Sequence, residues 1–300
     1  MATILVTTAT GLQGTAVAQE LVKANFSVKV LTRDPSKIAS GDYQVAEGSF
    51  DDPDSLREAL TGVDGVYFKL PLIFDKDLLL KYTKNFVEAA KNASLKLIVF
   101  NSSILVPEQP SGFVAFDSKL EAEQLLKQSG LPVVYLHPRI YLDNLAAPWS
   151  VPAIIEQGVL PVPVPGGQQV SWISLYDLAR YTVAAFQRPE LAGRTFEVGA
   201  APVNAQDLTA GLSSLLNKTI QYVYVTPDEF EAGLKGAFGD LTAKSISDIY
   251  RHLRDKPEDF VVNNNDAVKA LGVEPLTFAQ WVANVPWEQL NQQYAGAIAG

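Results

Sequence analysis

Ile4-Leu5-Val6-Thr7-Thr8-Ala9-Thr10-Gly11-Leu12-Gln13-Gly14-Thr15-Ala16-Val17 decides the fold. An apolar, partly β-branched run feeds a short glycine turn, and apolar Val17, Leu21 and Val22 then recur at helical spacing. The stretch reads as strand, tight turn, helix. The first amides of a helix lack intrahelical partners and carry the positive end of its dipole, so such a turn suits a phosphate-bearing ligand. A dinucleotide pyrophosphate is the expected guest, with Gly11 allowing backbone approach and Gly14 allowing the helix to pack on the strand. Thr8 stands where the glycine fingerprint has its first Gly, and Thr is poor at positive φ. Either the turn is reached differently, or the Thr8 hydroxyl lies near the cofactor.

Working outward, Ser27–Thr32 reads as a second strand that ends in Arg33-Asp34-Pro35-Ser36-Lys37. In a nucleotide-binding βαβ unit this strand end meets the adenine ribose, where an acid favours NAD and a cation pairs with a 2′-phosphate. Arg33 with Lys37 therefore points to NADP. Tyr43–Gly48 is a short third strand, after which Phe50 and Asp51 are placed at the adenine and Asp52 caps a helix begun by Pro53. Asp64–Pro71 is the fourth strand and its exit, which puts Lys69, Leu70 and Pro71 on the crevice side of an open parallel sheet. A helix near 75–92, a strand near 95–100 ending in Asn101-Ser102-Ser103, a helix over 113–128 and a strand over 133–137 continue the alternation.

That order predicts an α/β fold: a doubly wound parallel sheet of the Rossmann type with a smaller C-terminal α+β domain. Residues 148–167 are rich in proline and apolar side chains and read as a segment that leaves the sheet to roof a pocket. The expected division is 1–146 plus about 170–200 for the dinucleotide-binding domain, and about 147–169 plus 201–300 for the smaller one.

Composition narrows the chemistry. The 300 residues carry 24 Lys and Arg against 33 Asp and Glu, a net charge of −9, with no basic block to serve as a nucleic-acid footprint. No cysteine occurs and there are two histidines, His137 and His252, so thiolate sites are excluded and no metal centre is expected. No apolar run has the length of a membrane span, and nothing at the first residues reads as a signal peptide, so a cytoplasmic protein is expected. His137, at a strand end before Pro138, is read as a core histidine and His252 as solvated on a charged helix. No Gly-x-Ser-x-Gly elbow is present.

Four motifs together resemble the NmrA-like branch of the atypical short-chain dehydrogenase/reductase proteins: Thr10-Gly11-Leu12-Gln13-Gly14, Thr32-Arg33-Asp34-Pro35, Phe116-Asp117-Ser118-Lys119 and Tyr141-Leu142-Asp143-Asn144. Trp172-Ile173-Ser174 followed by Asp177 fits as well. The resemblance implies that Thr8 through Gly14 hold the pyrophosphate, Arg33 and Lys37 the 2′-phosphate, and Phe50 and Asp51 the adenine. It also implies that Lys69 to Pro71 border the nicotinamide, that Lys119 reaches its ribose, and that Tyr141 to Asn144 line the inner wall. Lys81 matches a cofactor-contacting lysine more loosely.

One position departs from the pattern. Ordinary short-chain reductases place a tyrosine four residues before the lysine as proton donor, and here Ala115 stands there. Alcohol–ketone chemistry is thereby disfavoured. A quinone needs less help, since its oxygens can take protons from water, Lys119, Tyr141, Tyr82 or Ser102. The resemblance thus implies an NADPH-dependent reductase, with Lys119 its catalytic residue, acting on a quinone or similar small conjugated carbonyl compound. Its second implication is a non-catalytic NADP(H) sensor that acts through a protein partner. Phe68, Tyr82, Phe116, Tyr141 and Trp149 are candidates for an apolar pocket wall, or for core.

Overall fold

The computed structural model describes residues 1–38 and 41–298. In chain order the first elements are β1 (Thr3–Val6), α1 (Leu12–Lys23), β2 (Ser27–Thr32), β3 (Tyr43–Glu47), α2 (Pro53–Ala59) and β4 (Gly65–Phe68). They are followed by α3 (Lys76–Lys91), β5 (Leu97–Asn101), α4 (Val114–Gln128) and β6 (Val133–His137). After these come β7 (Ile140–Tyr141), β8 (Val159–Val162), β9 (Trp172–Ile173), α5 (Leu175–Phe186), β10 (Thr195–Glu197), α6 (Ala205–Leu216), β11 (Gln221–Tyr224), α7 (Pro227–Phe238), α8 (Asp240–Asp255), α9 (Asn265–Leu271), α10 (Phe278–Asn284) and α11 (Trp287–Ile298).

Seven strands form one parallel sheet in the order β10-β6-β5-β4-β1-β2-β3. The order reverses between β1 and β4, which is where ligands lie in doubly wound folds, outside the carboxyl ends of the strands. Every residue of β4, β5 and β6 is buried, as expected for strands covered on both faces, whereas edge strand β3 is half open. Helix starts follow the sequence signals: Asp52 accepts from Asp54 N and Ser55 N with Pro53 at the first helical position, and Asp75 accepts from Leu78 N. Beneath the sheet's crevice edge, Phe68 stacks on Phe86 with centroids 3.9 Å apart.

The chain divides into two compact units. One comprises Met1–Pro138, Leu175–Val198 and Asn264–Glu274; the other comprises Arg139–Ser174, Gly199–Asn263 and the residues from Pro275 onward. Within the second unit, β8 pairs in parallel with β11 and β7 with β9, and α6 packs against α10, where Gly211 lies under the Phe278 ring. Arg251 on α8 pairs with Asp228, Glu231 and Asp248.

The two histidines behave differently from one another in sequence but alike in space. His137 is buried, with Nε2 2.6 Å from Glu123 Oε2 and Nδ1 3.2 Å from Glu197 Oε1. His252, expected in solvent, is also buried, 2.7 Å from Asp259 Oδ2. The charged composition of α8 conceals a stripe of Ala243, Ser247, Tyr250 and Leu253 that turns this part of the helix inward.

The His137 cluster makes stability depend on pH. Burial works against the imidazolium, but the bonds to Glu123 and Glu197 outweigh it and raise the pKa above the ordinary 6.5. Burial likewise opposes the Glu123 carboxylate, and His137 with Lys127 outweighs it, lowering the pKa below the ordinary 4.5. The His137 contribution is full below 6.5 and lost as pH rises through its folded value; that of Glu123 is full above 4.5 and lost as pH falls. Tm measured against pH is expected to peak between these limits, and His137→Gln to flatten the alkaline fall. An unchanged alkaline fall in that variant would remove the cluster as its source.

Candidate functional site

The first-unit residues singled out from the sequence gather at the carboxyl ends of β1, β2, β4 and β5. Thr7 fixes the exits of the two strands at the switch point: its amide donates to Tyr67 O (3.1 Å), its hydroxyl donates to Lys69 O (3.0 Å), and the Lys69 amide donates to Thr7 Oγ1 (2.9 Å). Thr8 itself adopts φ +53°, so a β-branched residue makes the left-handed step, at a cost of about 1–2 kcal/mol. Its Oγ1 is buried and has no hydrogen-bond partner among the described residues. A buried hydroxyl so placed in a phosphate-sized turn suits an acceptor that comes from a ligand.

Gly14 is dictated by packing, since a Cβ there would lie 2.4 Å from Thr8 O and 2.9 Å from Ala9 Cα. Gly11 is under no such constraint: its Cβ would meet only Thr8 O, at 3.5 Å. Thr10, Gly11 and Leu12 are exposed, Leu12 at 74%, and Gly11 offers α1 no side-chain cap. The helix therefore presents uncapped amides toward the turn.

A polar network missed in the sequence supports this turn. Asn101 Nδ2, at the end of β5, donates to Gln13 Oε1 (2.9 Å) and to Tyr67 Oη (2.8 Å). Ser103, at φ +68°, donates its amide to Asn101 Oδ1 (2.8 Å) and its hydroxyl to Gln13 Oε1 (3.3 Å). The readable signal was the polar triplet Asn101-Ser102-Ser103 directly after a fully buried strand.

At the end of β2, Arg33 is exposed and has no hydrogen-bond or ion-pair partner among the described residues. Lys37, placed beside it by the sequence, lies 3.5 Å from the Asp34 carboxylate instead. Asp51 accepts from Tyr82 Oη (2.7 Å) and Lys81 Nζ (3.1 Å); these two bonds, with the charges of Lys81 and Arg33, hold its carboxyl below the usual range. The Phe50 ring turns inward, 5.6 Å from Tyr82 and 5.9 Å from Phe68. Arg33, Asp51 and Lys81 thus share one patch, and Phe50 supports it from the core.

Lys69 and Lys119 form the second focus. Lys69 Nζ donates to Leu70 O (3.0 Å), and burial pushes its pKa down to about 8. Lys119, on α4, has no hydrogen-bond or ion-pair partner among the described residues. Burial, reinforced by the charge of Lys69, pushes Lys119 down to about 7. The carboxylates of α4 are spent elsewhere: Asp117 accepts from Ser111 and Gly112, Glu121 pairs with Lys76, and Glu123 with Lys127 and His137. Ala115, one helical turn before Lys119, is buried, and Leu70 is buried beside a half-buried Pro71.

Two of the proton sources expected from the sequence are engaged. Tyr82 donates to Asp51, and buried Ser102 donates to Ile104 O. Phe68 and Phe116 belong to the core, and Trp149 is 52% exposed. In the second unit, Tyr141 is buried on β7, and Asn144 lies in a 3-10 turn where its carbonyl accepts from Ser150 Oγ. Among the described residues no His, Asp and Glu cluster could hold a metal ion, and no helix is long and apolar enough to cross a membrane.

A doubly wound sheet with an uncapped, glycine-bounded turn at its switch point defines a dinucleotide-binding class of fold. Residues 1–282 match the model of the NmrA-like family, and the chain belongs to that family. It is 28% identical over 285 residues to the NAD(P)H azoreductase of Xenophilus azovorans, covering 93% of this chain and 96% of that one. It is 27% identical over 240 residues to quinone oxidoreductase 2 of Escherichia coli strain K12, covering 77% and 81%. The crystal structure of an NADPH-dependent quinone oxidoreductase from Escherichia coli, complexed with NADPH, superposes with a TM-score of 0.77 at 23% identity, over 93% of this chain and 98% of that one.

Proposed function

We propose that this chain is an NADPH-dependent reductase of a quinone or similarly conjugated small acceptor. The observation that carries the reading is Lys119 on α4, half-buried, without a counter-ion among the described residues, and subject to the charge of Lys69. Its relatives among azo and quinone reductases point the same way. The residues fit the cofactor: the unpartnered Thr8 hydroxyl and the uncapped start of α1 suit a pyrophosphate, and unpartnered Arg33 suits a 2′-phosphate.

In this reading Thr8, Thr10, Gly11, Leu12, Gln13 and Gly14 hold the pyrophosphate, Arg33 with Lys37 and Lys81 the 2′-phosphate, and Phe50 and Asp51 the adenine side. Lys69, Leu70 and Pro71 border the nicotinamide, and Lys119 reaches its ribose. Tyr141 and Asn144 are cofactor contacts on the family pattern alone. When bound, NADPH supplies a hydride. Lys119 supplies positive potential where negative charge develops on the acceptor oxygen, in a setting where few water molecules compete.

Steady-state NADPH oxidation across quinones, azo compounds and aldehydes tests the reading. Turnover with a conjugated acceptor is expected; tight NADPH binding with no turnover on any of them would favour a non-catalytic NADP(H) sensor, which Ala115 makes the second reading. Arg33→Asp is expected to reverse cofactor choice. Replacing a charge-assisted contact by a repulsive one should cut the preference for NADPH over NADH about 100-fold. A variant that kept the original preference would take Arg33 out of the cofactor site.

A further inference from the structure

The two edges of the small β8–β11 sheet in the second unit are built differently. In this parallel ladder Val223 stands opposite Pro161, and the amides of Gln221 and Val225 donate to Gly158 O (2.8 Å) and Val162 O (3.2 Å). Backbone groups alternate in direction along a strand, so Pro161, and Pro163 just past the strand, have their nitrogens on the far edge of β8. They have no N–H to offer there, which closes that edge to a further strand. The same alternation turns the N–H and C=O of Tyr222 and Tyr224 away from β8, and these groups have no hydrogen-bond partner among the described residues.

The β11 edge lacks the usual guards. Residues 219–226 include no charged side chain, proline or glycine and are rich in β-branched and aromatic residues. Edge strand β3 of the large sheet, by contrast, follows Asp42 and ends in Glu47. Tyr222 bonds Val164 O through its hydroxyl, so its side chain is turned inward, and Val223, on the opposite face of the strand, is 43% exposed.

We propose that β11 is the pairing surface between two copies of this chain, joined strand to strand and antiparallel about a two-fold axis at Val223. In that register Tyr222 of each copy stands opposite Tyr224 of the other, and their outward N–H and C=O groups form four hydrogen bonds with none left over. The charges agree with it. Lys218 bonds the Ile155 carbonyl (2.6 Å) and no carboxylate among the described residues, while Asp228, paired with Arg251, keeps its side chain 84% exposed. The two-fold brings the Lys218 end of each strand to the Asp228 end of the other, and sets no like charges against one another along the strand. A pairing of this length buries little surface, so the dimer is weak and forms with rising concentration. It does not depend on the reductase reading.

Sedimentation velocity of the full chain over a concentration series tests this, and a monomer–dimer equilibrium is expected. Val223→Lys sets two ammonium groups face to face across the axis and should weaken the dimer about 10-fold or more, as should Val223→Glu; an equimolar mixture of the two should recover it. Tyr224→Pro removes one outward donor per copy, leaves the β8 ladder whole, and should weaken the dimer about 10-fold. Val223→Cys, in a chain that has no other cysteine, should oxidise to a disulfide-linked dimer, because opposed residues at the axis have Cα atoms about 4.5 Å apart. Circular dichroism and Tm check that each variant is folded, and the series at the exposed Val223 side chain decides the matter should Tyr224→Pro melt early. A wild-type chain that stays monomeric at every concentration overturns the proposal. So does a dimer that the Lys and Glu substitutions leave intact, or one that their mixture fails to recover.

Discussion

Gly14→Ala is expected to abolish NADPH binding and to lower Tm by about 5 °C, corresponding to about 3 kcal/mol in a chain of this size. The added Cβ would sit 2.4 Å from Thr8 O and 2.8 Å from Thr8 C, and both atoms belong to backbone rather than to a side chain that can swing away. Relief requires moving α1 off β1 or reshaping the turn. The turn is already committed: Thr8 holds a left-handed conformation, Gly11 N donates to Thr8 O at 3.0 Å, and Thr15 Oγ1 donates to Ala9 O at 2.9 Å. Gly11→Ala is the control, because its Cβ meets only an ordinary contact at 3.5 Å. That variant should keep its Tm, and any loss of NADPH binding in it would report the ligand-facing backbone alone. Thermal melts and fluorescence titration of both variants check this, and a Gly14→Ala protein with wild-type Tm would refute the packing argument.

Lys119→Ala is expected to reduce kcat for a quinone acceptor by about 100- to 1,000-fold while weakening NADPH by no more than about 5- to 10-fold. The larger effect falls on kcat because the charge acts on the acceptor oxygen as it develops negative charge, and the ribose contact contributes one hydrogen bond. Stability should change in the opposite direction. A lysine held at about 7 in the fold and 10.5 when unfolded opposes folding fully below pH 7, and that penalty fades as pH rises toward 10.5. Lys119→Ala should therefore melt above the wild type at neutral pH, with the gain shrinking at alkaline pH. A variant with unchanged kcat would show that Lys119 carries no functional weight, and one with a lower Tm at neutral pH would contradict its burial as a penalised charge.

The parallel sheet and its helix starts were legible because they rest on local signals. Buried apolar runs and the Asp52-Pro53 start each act within a few residues. The turn was readable as an anion site for the same reason. Thr8 was readable only as an anomaly, and the structure shows that it takes the left-handed step itself and keeps an unpartnered hydroxyl.

What escaped depends on topology. Lys69 and Lys119 are far apart in sequence, and the charge of Lys69 reaches Lys119 because β4 and β5 are neighbours in the sheet and α4 follows β5. Asn101 meets Gln13 and Tyr67 through the same neighbouring of strands. Core and pocket aromatics cannot be told apart by residue type, so Phe68 and Phe116 stood as pocket candidates until burial placed them in the core. His252 was misjudged because the average charge of α8 says little about which of its faces is turned inward.

The central claim is that this chain transfers hydride from NADPH to a conjugated acceptor although Ala115 replaces the tyrosine acid. Single-turnover mixing tests it most directly: protein loaded with one equivalent of NADPH is mixed with excess naphthoquinone while nicotinamide absorbance is followed. The account predicts complete loss of that absorbance in one exponential, far faster than without protein and slowed in Lys119→Ala. Bound NADPH that stays reduced at the protein-free rate would contradict it.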